Sequence, residues 1–143
     1  MFNGRYEHNI DEKGRLTIPA RFRELLDSDA YVLQGFDCNL LVLTAASFAR
    51  ISERINQLNM ADPVARQLKR MIFSSAEHCE FDRAGRMLLP QYLREAAKLN
   101  GTAMVVGAGE YIEIWSPALW EEQSRVIQEA DAQRFAAFDL SFR

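Results

Sequence analysis

The chain has 143 residues, of which 48% are hydrophobic and 26% charged, and a formal net charge of −3. That apolar content is enough for a real core, in one compact unit or two interlocked halves, and it excludes a mainly disordered chain. No apolar run approaches the roughly 20 residues of a membrane span, and the start MFNGRYEHN is too polar for a signal peptide, so a cytoplasmic protein is expected.

The first elements come from IDEKGRLTIPARFREL, Ile10 to Leu25, which reads as strand, tight turn, strand and short helix. Asp11 can cap the turn with its carboxylate, and Gly14 supplies the positive φ of a type I turn with a bulge. Leu16 and Ile18 alternate with Arg15 and Thr17, so the arginine points away from the leucine face. Pro19 cannot continue a central strand but fits the first turn of a helix over Arg21 to Leu26. A hairpin follows, Tyr31 to Leu33 with Leu40 to Leu43. Helix then runs from near Thr44 to about Leu58, breaks, and restarts with Asp62 as N-cap and Pro63 at the first helical position.

Seventy-one positions after its first appearance the opening phrase returns as FDRAGRMLLPQYLREA, Phe81 to Ala96. Asp82, Gly85, Arg86, Pro90, Arg94 and Glu95 fall on Asp11, Gly14, Arg15, Pro19, Arg23 and Glu24. The same elements follow: a helix over Tyr92 to Leu99, a hairpin of Met104 to Val106 with Tyr111 to Trp115, and a helix opened by Ser116 and Pro117 that continues toward Phe138. Whole halves are duplicated. Stacking them gives a small mixed barrel with an internal pseudo-two-fold, which places Arg15 and Arg86 in equivalent positions on one surface.

Charge is unevenly spread. Met1 to Arg23 carries +2, Arg50 to Arg70 carries +3, and the tail from Trp120 onward carries −2. The +3 segment reads as the solvated face of a helix.

With its start MFNG, its two D-x-x-G-R phrases (Asp11 to Arg15, Asp82 to Arg86), the proline and R-E pair after each, and EIW at Glu113 to Trp115, the chain resembles the MraZ family of bacterial transcriptional regulators along essentially its whole length. The resemblance implies a mainly β fold with α: a duplicated swapped-hairpin (double-split) β-barrel of two pseudo-symmetric halves, shared with AbrB-like regulators, with helices after each half. The repeats would span residues 1–72 and 73–143. It also implies a closed ring of copies, bound in the nucleoid to repeated elements of double-stranded DNA in the promoter ahead of the division and cell-wall gene cluster. The family's DNA-contacting D-x-x-x-R elements map onto Asp11 and Arg15 and onto Asp82 and Arg86, with Gly14 and Gly85 shaping the turns. An arginine fork can read guanine O6 and N7 or clamp a phosphate, while Lys13, Arg5 and Arg83 would then be backbone contacts. Two departures stand out. The family often reads MFRG where this chain has Asn3, so a basic contact there is missing or moved to Arg5. The second copy has Ala84 where the first has Lys13, although Arg83 stands one residue earlier.

Simpler readings compete at each position. Arg15 and Arg86 could each form a structural ion pair with the turn aspartate. Catalysis would have to come from His8, His78, Cys38 and Cys79, yet His78 and Cys79 face opposite ways if their segment is a strand, and no carboxylate pair or His cluster shows ligand spacing. Neither an enzyme nor a cofactor is expected. Gly107 and Gly109 in VVGAGEYIEIW lack the third glycine and helix of a phosphate loop and read as a hairpin turn. A further function class is a protein-binding module, an antitoxin-like or scaffolding barrel docking through its acidic C-terminal helix.

Overall fold

The two copies of the phrase fold alike and then pair with each other. The computed structural model describes residues 1–130 and 132–140. Strands β1 (Arg5–Asn9) and β2 (Arg15–Thr17) flank a turn in which the Gly14 N–H donates to the Asp11 carbonyl at 3.0 Å, with Gly14 at φ +81°. Strands β5 (Glu77–His78) and β6 (Arg86–Leu88) flank its counterpart, where Gly85 sits at φ +78° and donates to Asp82 at 3.1 Å. Both glycines hold the left-handed conformation that the turn requires. Leu16 and Met87 point fully inward while Arg15 and Arg86 stay half-buried, as the alternation predicts.

Helices α1 (Ala20–Leu25) and α4 (Gln91–Ala96) begin one residue earlier than the sequence suggests, with Pro19 and Pro90 as N-caps rather than inside the first turn. Helix α4 stops at Ala96 and not at Leu99. Lys98 takes φ +55°, its N–H donates to the Glu95 carbonyl at 3.1 Å, and Leu99 donates to the Arg94 carbonyl at 2.8 Å. This is a Schellman ending closed by lysine instead of glycine, with the apolar Leu99 tucked inward.

The hairpins are β3 (Tyr31–Gln34) with β4 (Leu40–Leu43), and β7 (Thr102–Gly107) with β8 (Ile112–Trp115). Among the described residues, six strands form one antiparallel sheet in the order β1-β7-β8-β4-β3-β5, and β2 pairs antiparallel with β6 in a second. Each half lends its first strand to the other half's hairpin: β1 lies on β7 and β5 on β3. Exchanging every strand for its copy reverses the sheet order and reproduces it. Gly107 ends β7, paired with Ile112, and Gly109 lies in the connection to β8, where the Phe2 N–H donates to the Gly109 carbonyl at 2.7 Å, so the chain's start is pinned there.

One buried cluster draws on both halves, with Leu16, Ile18, Phe22 and Val42 from the first and Met87, Leu89, Leu93 and Ile114 from the second. A second cluster, Leu33, Leu41, Leu43, Ile55 and Ile72, lies where α2 (Ala45–Asn56) and α3 (Pro63–Ser75) cover the hairpin of the first half. With both faces covered, β4 reads as the unbroken apolar run LLVL and is buried throughout. The caps fall where the sequence places them: the Thr44 side chain accepts from the Ser47 N–H and the Asp62 carboxylate from the Val64 N–H.

Helix α5 (Pro117–Glu129) opens with the Ser116 side chain accepting from the Leu119 N–H, as expected, but it does not continue to Phe138. Ala130 turns extended, at ψ 128°, and short 3₁₀ turns follow at Ala132–Arg134 and Ala136–Phe138. The fold-back brings Phe135 and Phe138 against the exposed Val126 and Ile127 around a groove of about 310 Å³. A straight helix would have carried the two phenylalanines away from those residues. No helix among the described residues is long and apolar enough to cross a membrane.

Candidate functional site

The two turns meet. In the first, the Asp11 carboxylate accepts through Oδ1 from the backbone N–H groups of Lys13 (3.0 Å) and Arg15 (2.8 Å), and through Oδ2 from Arg15 Nε at 2.7 Å. In the second, Asp82 accepts from the N–H groups of Ala84 (2.9 Å) and Arg86 (3.0 Å) and from Arg86 Nε at 2.8 Å. Each arginine then crosses to the other half. Arg86 Nη1 lies 3.3 Å from Asp11 Oδ2, and Arg15 Nη1 lies 3.7 Å from Asp82 Oδ2. The result is a crossed quartet of two guanidiniums and two carboxylates, each side chain about one third exposed. The structural ion pair considered from sequence is therefore present, and it spans the halves.

The quartet fixes the arginines without using them up. An arginine has five N–H donors, and here Nε and Nη1 are engaged while Nη2 bonds to nothing among the described residues. Each guanidinium thus presents a fixed, partly exposed edge whose orientation costs little further entropy when a ligand binds.

The backbone N–H of Arg15 is the main cause holding the Asp11 carboxyl below its ordinary value of 3.8, helped by the Arg15 side chain and opposed by partial desolvation. The backbone N–H of Arg86 does the same for Asp82. A folded-state pKa below the unfolded value contributes stability that is present above the unfolded value and lost as pH falls through the folded one. Melting curves of wild type and Asp11→Asn, Asp82→Asn protein should therefore differ most above pH 3.8 and converge in more acidic solution. A constant difference down to low pH would mean the carboxylate charges contribute nothing.

Lys13 and Arg83 are exposed on the two turns beside the quartet. Arg5 is not. It starts β1, paired with Val106, and about 20 Å of extended chain separates it from Asp11. Three arginines that the sequence reading left without a role lie close to these elements. Arg21 Nη1 donates to the Tyr6 hydroxyl at 3.0 Å, and its Nη2 donates to Asn3 Oδ1. A guanidinium brought by α1 thus sits against Asn3. The others are Arg23 and Arg94, whose Nε groups donate to the carbonyls of Ile18 (3.0 Å) and Leu89 (2.9 Å). Their identity in the two copies was the available signal. They also decide the local charge. Asp11, Glu12, Lys13, Arg15, Asp82, Arg83 and Arg86 together carry +1, and Arg23 and Arg94 raise that to +3.

A family model described as "MraZ protein, putative antitoxin-like" matches residues 1–71 and again residues 72–140. The chain belongs to the MraZ family. Its relatives include proteins named "Transcriptional regulator MraZ" from Thermomicrobium roseum (45% identical over 127 residues, 89% of each chain), Roseiflexus castenholzii (41% over 136 residues, 95% of this chain and 94% of the relative) and Moorella thermoacetica (43% over 143 residues, 98% and 100%). The twofold match of the MraZ model follows the duplication, and each match holds one complete turn with its aspartate, glycine and arginine.

The nucleophilic and ligating groups of this MraZ chain are dispersed. His78 is exposed on β5, with Nε2 3.4 Å from Asp29 Oδ1, while Cys79 beside it is buried, and burial pushes its thiol up to about 12. Among the described residues no group of three or more His, Cys, Asp or Glu side chains could hold a metal ion. At pH 7.5 a maleimide should label the exposed Cys38 and spare Cys79 until the protein unfolds, as counted by intact mass. Rapid double labelling of folded protein would contradict this burial.

Proposed function

We propose that this MraZ chain is a sequence-specific transcriptional regulator that grips double-stranded DNA through the quartet arginines. The observation that carries the reading is the sharing of Asp11 Oδ2 by Arg15 (2.7 Å) and Arg86 (3.3 Å), which sets one guanidinium from each half side by side. Their free Nη2 edges suit guanine O6 and N7 or phosphate oxygens. Lys13 and Arg83 flank them as backbone contacts, Asp11 and Asp82 orient them, and Gly14 and Gly85 shape the turns. The relatives' shared name supports regulation of transcription.

In this reading the crossed pairing of β1 with β7 and of β5 with β3 is that of a swapped-hairpin, double-split barrel built from repeats 1–72 and 73–143. Copies assemble into a closed ring in the cytoplasm, at the nucleoid, on repeated promoter elements ahead of the division and cell-wall genes. A subunit of net charge −3 binds one short element weakly, and a ring binds several because each later contact is intramolecular. The exposed apolar residues of the C-terminal segment, Val126, Ile127, Phe135, Phe138 and Leu140, favour a protein contact there, which we read as the neighbouring subunit. A gel-shift titration on the chain's own upstream DNA at two salt concentrations tests the site. Wild type should bind and weaken steeply with salt, whereas Arg15→Ala, Arg86→Ala protein should bind at least about 30-fold more weakly. Equal shifts from both proteins would remove the assignment.

A further inference from the structure

Gly14 and Gly85 are held from the opposite half. The Ile18 N–H donates to the Gly85 carbonyl at 3.1 Å, and the Ile18 carbonyl accepts from Arg23 Nε at 3.0 Å. The guanidinium so anchored lies flat over the Gly85 α-carbon, where an added methyl would stand 2.4 Å from Arg23 Cζ. The mirror circuit is complete. The Leu89 N–H donates to the Gly14 carbonyl at 2.8 Å, the Leu89 carbonyl accepts from Arg94 Nε at 2.9 Å, and a methyl on Gly14 would stand 2.9 Å from Arg94 Cζ. Ile18 and Leu89 are fully buried, so both anchors are rigid. No other hydrogen bond or ion pair engages the side chain of Arg23 or Arg94 among the described residues, and Glu24 and Glu95, one residue on, sit about 100° round their helices.

We infer that Arg23 and Arg94 are positioning residues that act in trans: Arg23 from the first half fixes the turn that presents Arg86, and Arg94 from the second half fixes the turn that presents Arg15. The glycines are demanded twice, by the turn's positive φ and by the guanidinium resting on each of them. A planar fork can hold a carbonyl through Nε and cover a glycine with its face at once, which an ammonium cannot. Reciprocal bracing also links the halves, so that each arginine's readiness for a ligand depends on the integrity of the other half's helix.

The inference rests on the DNA-binding reading for its functional consequence but not for its first test. Hydrogen exchange read by mass spectrometry on the full-length protein should show Arg23→Gln speeding exchange in peptides over residues 82–86, by roughly fivefold or more for the loss of one bond of ordinary strength, and sparing residues 11–15. Arg94→Gln should do the reverse. Acceleration in the same half, in both turns equally, or in neither overturns the proposal. If the glutamine proteins do not fold, Arg23→Lys and Arg94→Lys, which keep charge and stem but lose the fork, should give the same crosswise pattern more weakly, and an equal effect on both turns overturns it again. DNA titration then separates positioning from mere stability. Arg23→Gln should be non-additive with Arg86→Ala and additive with Arg15→Ala. Additivity in both pairs would overturn the positioning role even with crosswise exchange, whereas wild-type protein that binds no DNA at all would sink the DNA reading and leave the exchange result to decide the brace.

Discussion

Phe22→Ala should cost about 3–5 kcal/mol of folding stability, a large share of the roughly 5–15 kcal/mol that a domain has. Phe22 is fully buried on α1 and meets Phe2 and Tyr6 edge-on, with ring centroids 5.5 and 5.4 Å apart. Each such aromatic pair adds about 0.5–1.5 kcal/mol beyond the area it buries. The loss would not stay local, because Phe2 also carries the backbone pairing of the chain's start to Gly109, and Tyr6 receives Arg21 from the same helix. Urea denaturation at fixed protein concentration, with unchanged slope, is the measurement. A loss under about 1 kcal/mol would mean the site closes over the cavity and the start of the chain does not depend on this ring.

Much of this architecture is written locally. Thr44, Asp62 with Pro63, and Ser116 with Pro117 announce their helices because a cap needs only a side-chain oxygen and the next few N–H groups. The turn glycines are equally legible, since Asp11 and Gly14 lie in one window and the left-handed position demands glycine. Where the sequence misleads, the deciding contact is distant or the signal residue is atypical. Nothing near Arg5 says that β1 will lie on β7, and nothing near Lys98 replaces the missing glycine that would have marked the end of α4. Val126 and Ile127 extend the helical pattern of α5, yet the residues beyond fold back on them. At the site the spacing of Asp11 to Arg15 predicts the pair within each turn, whereas the legs from Arg86 to Asp11 and from Arg94 to Gly14 exist only once the halves are assembled.

The Arg15→Ala, Arg86→Ala protein should lose DNA affinity by about 30-fold to 10⁴-fold per subunit, from roughly 1–3 kcal/mol for each base-reading arginine, and by more in an assembly whose subunits bind together. That loss alone does not prove contact. The quartet is formally neutral, and removing both guanidiniums leaves Asp11 and Asp82 facing each other with a charge of −2, which would repel phosphate even if no arginine ever touched it. A quadruple variant, Asp11→Asn, Arg15→Gln, Asp82→Asn and Arg86→Gln, keeps the sum at zero and the side chains close in size. If the arginines contact DNA, this protein should bind as poorly as the alanine variant, and the slope of log K against log salt should fall by about 0.9 for each phosphate that an arginine no longer neutralises. If only the field matters, it should bind like wild type with an unchanged slope. The Asp11→Asn, Asp82→Asn protein completes the set. It adds +2 to the surface while removing the carboxylates that aim the forks, so affinity for random DNA should rise while preference for the cognate element falls. A parallel rise in both would show that the carboxylates only dilute charge and do not orient the arginines.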